Sequence, residues 1–509
     1  MPNAVKDQLW RLVRSLTKAE KRNFKLYARR SDANANAKFV QLFDAMDRLE
    51  EPDDQVLLNR LPIISSSQLS NLKRHLYGEI MTSLRLLYIN KEIDIEIRQQ
   101  IDYARILYGK GLYLDALRIL ERIKQRALEH HQDILHLEIL EFQKLIEARH
   151  VTRSRQVKNK MDLLLNESAE RSFITLQTSE LININIQIHG YYIENGHSRN
   201  EKEVAAVKEF WERIQKPTNK RYELRSTFFE QINRFQSVMW YHYIRLDLEK
   251  ALEAAKNSVG LFGVNSPMIL KDPDLYVRCL YYVGVMAYLR GDRDELKRSE
   301  QGLEHYRQNQ AESFNDNTQN IAATYHSLLK LNCKFQKEDW PSARTLMKEL
   351  LILQQENEIQ MGQHRWLLFE FKFAAIEFIA GNYSEALDYL NHIIETKVSL
   401  LQEELLINTR LLHLLCHFEL GNLSLVDYHL TNLGRLLKRS QDSAQSHQLA
   451  ITGIRKLVRL AAGEQLLVFE QWREKLTELQ TIPYERKANT YLQISWWLDQ
   501  KIAAIRPAT

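Results

Sequence analysis

Glycine and proline are both scarce in this chain of 509 residues, at 16 and 9 copies, roughly half or less of average usage. So few turn formers leave room for few hairpins and few tight loops. Cysteine is rarer still. Cys279, Cys333 and Cys416 lie far apart, without the paired spacing of a metal site or a disulfide framework. Buried thiols in a reducing compartment are expected, and the cytoplasm fits. No long uncharged apolar run occurs, so no membrane-spanning helix is expected. The opening MPNAVKDQLWRLVRSLTKAEK has neither an apolar core nor a small-residue cleavage site, and does not read as a signal peptide. Gly-rich phosphate loops, nucleophile elbows and zinc-protease motifs are missing as well. Nothing suggests a rigid pocket of converging titratable groups. No enzyme, no catalytic residue and no cofactor is expected.

What is present favours helix. Leu, Glu, Lys, Arg, Gln and Ala dominate, and these are the good helix formers, so the fold class is all-α. The length suits two or three ordinary domains or one repeat array. The net charge of +5 is unevenly placed: residues 1–30 hold nine basic side chains against Asp7 and Glu20, a net of +7, which leaves −2 for the remainder. The basic character belongs to the N-terminal end.

Residues 1–95 read as an N-terminal helical domain without repeats. Thr17 and Glu20 form a capping box, so a helix is expected from Lys18 to about Arg30. SDANANAK (31–38) reads as a loop, and a second helix runs to about Leu49. Pro52-Asp53-Asp54 starts a short third one. Pro62 and Ser65–Ser67 then cap a long helix whose apolar face is Leu69, Leu72, Leu76, Ile80, Leu84 and Leu87.

A different pattern governs residues 96–480. A glycine column runs through Gly111, Gly291, Gly381, Gly421 and Gly463, with Leu246 and Glu338 in its place twice. Two residues on stands a bulky side chain (Tyr113, Leu248, Trp340, Tyr383, Leu423). Five on comes a small or apolar one (Ala116, Ala251, Leu296, Ala343, Ala386, Val426, Val468). Twelve on lies an apolar position (Ile123, Leu303, Leu350, Ile393, Leu433). GKGLYLDALRILERI, AGNYSEALDYLNHII and EDWPSARTLMKELL show the pattern most clearly.

On these residues the chain resembles the tetratricopeptide-repeat family, whose second helix begins in this way. The physics agrees: glycine ends a helix in a left-handed conformation, alanine permits close crossing of two helices, and Pro341 sits harmlessly in a first turn. The small residues recur at 135, 45, 47, 43, 40 and 42, against a family period of 34. The long first interval implies two degenerate repeats near Val157 and Val204, hence about nine helix pairs in one continuous superhelix. The family's terminal proline is missing. Longer α-α repeats of the HEAT kind remain an alternative, although they do not normally carry the glycine-aromatic-alanine column. Residues 481–509, with Trp496-Trp497, are expected to form a C-terminal capping helix.

The resemblance implies that the first helix of each pair lines a concave face. Three residues before the column stand Tyr108, Tyr243, Tyr288, Phe335, Phe378 and Phe418, either flat anchors for a partner or packing aromatics. Polar and aromatic residues further back on these helices add Arg98, Arg105, Asn233, Gln236, Trp240, Arg278, Tyr281, Tyr325, Asn332 and Asn408. They are suited to a peptide's backbone and carboxylates, or are solvated surface. The partner-binding candidates are therefore Arg98, Arg105, Tyr108, Asn233, Trp240, Tyr243, Arg278, Tyr281, Tyr288, Tyr325 and Asn332. Lys18, Arg22, Lys25 and Arg29 form one basic stripe, a candidate anion-binding face for phosphate backbones or an acidic protein, although such stripes are more often solvated surface. A second basic stretch is Arg149, Arg153, Arg155, Lys158 and Lys160. His413 and His417 are four apart beside Cys416, but with no further ligand at zinc spacing no metal site is expected. His130, His131 and His136 carry less weight.

Three functions fit: a cytoplasmic scaffold binding a peptide, helix or partner domain; a ligand-responsive regulator, similar in layout to bacterial peptide-sensing proteins; and a nucleic-acid or ribosome-associated protein using the basic N-terminus.

Overall fold

The computed structural model describes residues 8–28, 38–150, 159–215, 227–265, 267–310, 314–355, 363–396, 403–439, 444–461 and 464–506. Among them there is helix and no strand. The chain divides into two compact units, 1–175 and 176–509.

The first unit begins with α1 (Gln8–Ser15), which the sequence pattern does not announce, then α2 (Lys18–Ala28), α3 (Lys38–Asp47), α4 (Asp54–Arg60) and α5 (Ser66–Tyr88). The capping box closes as its chemistry requires. The Thr17 amide donates to Glu20 Oε2 at 2.7 Å and the Glu20 amide to Thr17 Oγ1 at 3.2 Å. Glu20 is buried, and Tyr88 donates to its other oxygen at 2.7 Å, which ties the start of α2 to the end of α5. Phe24, Leu42, Phe43, Met46, Leu76 and Ile80 form the core of these helices. Then come α6 (Ile93–Gly109), α7 (Tyr113–Glu129), α8 (Asp133–Arg149) and α9 (Lys160–Asn195), whose first half lies in this unit.

The second unit takes the rest of α9 and then α10 (Glu201–Ile214), α11 (Phe228–Ile244), α12 (Leu248–Val264), the single turn α13 (Met268–Lys271), α14 (Pro273–Arg290) and α15 (Arg293–Gln310). There follow α16 (Asp316–Lys337), α17 (Trp340–Gln355), α18 (Gln363–Ile379), α19 (Tyr383–Glu395), α20 (Glu403–Glu419), α21 (Leu423–Arg439), α22 (Gln445–Leu457), α23 (Leu466–Leu479), α24 (Pro483–Leu492) and α25 (Ile494–Ile505). Where one capping helix is expected at the C-terminus, there are two.

The helix pairs are joined by one recurring turn. Gly111, Gly291, Gly381 and Gly421 have φ between 73° and 86°, and the substitutes Leu246 and Glu338 take φ of 56°. The column residue's amide bonds the carbonyl three back, and the next amide bonds the carbonyl five back, as in Gly291 to Tyr288 (3.1 Å) and Asp292 to Ala287 (2.9 Å). This double bond pattern is the Schellman closure of a helix. His131 (φ 53°) makes the same turn between α7 and α8 without a glycine. Five residues after the column the second helix makes its first internal bond, and there Ala116, Ala251, Leu296, Ala343, Ala386 and Val426 are each 0% exposed. The turn and the close crossing are thus one device.

The two degenerate repeats take an unexpected form. Val157 lies outside the described residues, as do Arg153, Arg155, Lys158 and Gly463. In place of two separate helices after it, α9 runs unbroken for 36 residues. Its sequence contains no proline and only Gly190, so no local chemistry stops it. Val204 is half-buried, and Val207 and Trp211 carry the packing of α10.

Within the second unit, α14 touches both its partner α15 and the next first helix, α16; α18 likewise touches α20, and α20 touches α22. Successive second helices make no comparable contact. The first helices are therefore the inner layer of this unit. Gly284 on α14 permits the approach, since a Cβ there would overlap Leu329 of α16. The C-terminal helices fold back: Leu246, at the α11–α12 turn, shares a small cluster with Ala444, Tyr484 and Ala488.

Glu338→Gly is expected to stabilise the protein by about 0.5–1 kcal/mol, since relief of a left-handed side chain (about 1–2 kcal/mol) exceeds glycine's added unfolded-state entropy. Gly381→Ala is expected to cost about 1 kcal/mol, although a Cβ there meets no neighbour. Chemical denaturation checks both, and identical stability of parent and variants would contradict the left-handed turn.

Candidate functional site

The sequence-derived candidates separate into groups. Arg98, Arg105 and Tyr108 lie in the first unit. Arg98 is exposed. Arg105 pairs with Glu138 at 3.4 Å and lies over the Phe142 ring. Tyr108 packs against Tyr113, Phe142 and His150. In the basic stripe, Lys18 and Arg22 are exposed, whereas Lys25 is paired with Asp44 at 2.7 Å. Arg29 lies outside the described residues.

The aromatic column packs. Tyr243, Tyr288, Phe335 and Phe378 are each under 9% exposed. Phe335 meets Trp340, and Phe378 meets Tyr383, at ring distances of 5.2 and 5.5 Å. The aromatic before the turn and the bulky residue after it hold the two helices together, which is what a large flat side chain contributes at such a site.

Deeper on the inner helices the residues converge differently. Asn185 on α9 donates to Asn233 and Gln236 on α11, at 3.2 and 3.1 Å, and Gln236 reaches Cys279 on α14. Beside this amide ladder, Trp240 lies against Tyr192 and Tyr282. On α14 and α16, Tyr281 and Tyr325 stack face to face, with centroids 4.0 Å apart and an 8° interplanar angle. Burial pushes the Tyr282 phenol up to about 12 and Tyr281 higher, both also facing Tyr325, so these hydroxyls stay neutral at physiological pH.

Two guanidiniums meet at this stack. Arg278 Nη1 donates to Tyr325 Oη at 3.1 Å from α14, and Arg365 Nη2 donates to the same oxygen at 3.0 Å from α18. The Arg365 guanidinium also lies 5.0 Å from the Tyr325 ring centre. Both arginines are half-buried, and neither is in an ion pair among the described residues. Asp272, the N-cap of α14, is coupled electrostatically to Arg278 without an ion pair and accepts from the Leu275 amide at 3.2 Å; Glu370 is bonded to Trp366 and His392, and Glu377 to Arg344 and Asn382. Asn185 Oδ1 and the buried Asn332 Oδ1 have no hydrogen-bond partner. Arg365 escapes the sequence pattern because it stands sixteen residues before Gly381, one helical turn beyond the register that finds Arg278 and Tyr325.

Lys372, on α18, is buried over the rings of Phe335 (4.3 Å) and Tyr288 (5.3 Å). Desolvation pulls its ammonium down to about 7, because a charge leaving water loses its hydration.

No family model matches the sequence, and no curated protein matches it. Among solved structures, the crystal structure of the apo form of RapI is similar at 12% identity and a TM-score of 0.39, the alignment covering 74% of this chain and 98% of RapI.

Lys372 has a definite pH signature. Between about 7 and the ordinary lysine value near 10.4, the unfolded chain holds a proton that the folded chain has released, so this residue's contribution to stability rises with pH across that window and is constant below it. Lys372→Met is expected to exceed the parent in stability most at and below neutral pH, with the margin shrinking toward alkaline pH. Denaturant melts across the window check this, and a margin independent of pH would show the ammonium to be hydrated.

Proposed function

We propose that this chain is a non-enzymatic interaction protein, whose inner helices hold a carboxylate-bearing segment of a partner protein or peptide. The observation that carries this reading is the meeting of Arg278 and Arg365 on one hydroxyl. An arginine cannot shed its charge, and half-buried charges are ordinarily paired. A carboxylate arriving between them would collect charge-assisted bonds from both guanidiniums. The stacked Tyr281 and Tyr325 would give its neighbouring atoms a flat apolar wall. The groups that converge here are donors and rings, with no nucleophile and base in contact, so the arrangement suits holding and not turnover.

The test is selection of peptides, including ones with free carboxyl termini, against the full chain. Enrichment of carboxylate-bearing sequences is expected. The best of them should bind Arg278→Gln or Arg365→Gln about 10–100-fold more weakly, the worth of one charge-assisted hydrogen bond, with circular dichroism unchanged. Selection of sequences without acidic groups, or equal binding by both variants, would refute the reading.

A further inference from the structure

The turn at Gly421 folds α20 against α21 and completes a cluster that neither helix carries alone. His413 and His417, one helical turn apart on α20, are joined by His429 from α21, and one ring nitrogen from each lies within 4.8 Å of the others. Ring centres are 4.6 Å apart for His413–His417, 4.7 Å for His413–His429 and 5.2 Å for His417–His429. His413 stands eight residues before Gly421 and His429 eight after it. In an antiparallel helical hairpin, positions equidistant from the turn face each other.

We propose that His413, His417 and His429 form a binding site for a divalent transition-metal ion of the zinc type. A tetrahedral ion with Zn–N bonds of about 2.0–2.1 Å holds its nitrogens about 3.3 Å apart, so side-chain rotations closing at most about 1.5 Å complete the set. His413 is supported from behind in the way metal-bound imidazoles are: its Nε2 donates to Asn391 Oδ1 at 3.1 Å, which leaves Nδ1 for an ion. Asn422 Nδ2 donates to Nδ1 of His417 at 3.2 Å, so for that ring to bind an ion through Nε2 its proton moves to Nδ1 and the Asn422 amide turns to present its oxygen. Burial, and then the neighbouring rings and Arg410, hold His413 down at about 3; burial also lowers His417 and His429.

A second titratable cluster shows by contrast what a self-sufficient one contains. Glu300, Glu304 and His326 also converge. There Glu300 is paired with Lys297 at 2.8 Å and with His326 at 3.2 Å, and Arg307 contacts His326. Lys297 already pairs with Glu300 there. The three histidines have no carboxylate among them. Among the described residues, the charged group that faces them is Arg410 of α20, which lowers His413 and His429 and whose buried Nε has no hydrogen-bond partner. Three imidazoles leave a tetrahedral ion one open position. With a guanidinium alongside, that position favours an anionic fourth ligand such as hydroxide or a carboxylate. Cys416, between the two histidines in sequence, is fully buried and stays outside the cluster.

The test uses the untagged full chain, freed of metal by a chelator and titrated with Co²⁺ while visible absorption is followed. One equivalent should produce the intense band of low-coordinate Co²⁺, and Zn²⁺ should displace it. His429→Ala and, separately, His417→Gln should weaken binding by on the order of a hundredfold or more. Asn391→Ala should weaken it by about 10–100-fold, as loss of an orienting partner does. His305→Ala, which removes an exposed histidine of α15, should leave binding unchanged. Absence of a stoichiometric Co²⁺ complex in the parent, or a complex in His429→Ala and His417→Gln as tight as the parent's, overturns the proposal.

Discussion

The left-handed residue that ends the first helix of each pair is the constraint on which the packing depends. Its backbone bonds close the helix and start the next one within two residues, so the crossing point of the two helices lies a set distance down the chain. That point is where Ala116, Ala251, Ala343 and Ala386 are wholly enclosed. Leu246, Glu338 and His131 adopt the same conformation at a cost of about 1–2 kcal/mol each. The cost is tolerable because each turn also brings a row of apolar residues into the core, such as Leu296 and Leu303 on α15, and a fully buried leucine contributes about 1.5–3 kcal/mol.

Contact between successive first helices then decides the fate of the polar residues. Because α14 touches α16, and α20 touches α18 and α22, as well as their own partners, side chains that would be solvated on an isolated hairpin become enclosed. Several responses to that enclosure are visible. Glu377 and Glu370 find cationic or hydrogen-bonding partners. Lys372 sheds much of its charge. Arg278 and Arg365 can do neither, and they converge on a neutral phenol. Burial likewise lowers the three histidines of α20 and α21.

The repeat register was legible because its two determinants are local. A left-handed residue and a small residue five positions later are both visible in one short stretch, and the spacing found Leu246 and Glu338 even without glycine. The unbroken α9 was not legible from spacing, which presumes a break in every unit, whereas a helix continues until local chemistry stops it. His131 was missed for the converse reason: its turn is left-handed with no glycine to mark it. Two of the three histidines could be read from the i, i+4 pair on α20, but the third required knowing which residue of α21 the turn at Gly421 places opposite.

Composition and short-range pattern were enough for the all-helical class, for the pairing of helices, and for the alanines at their crossings. Each of these is decided by interactions within one or two turns of chain. Which charged groups face one another lay beyond that range. Arg278 and Arg365 stand 47 and 40 residues from the Tyr325 hydroxyl they share. Only the tertiary placement of α14, α16 and α18 brings them to the same oxygen.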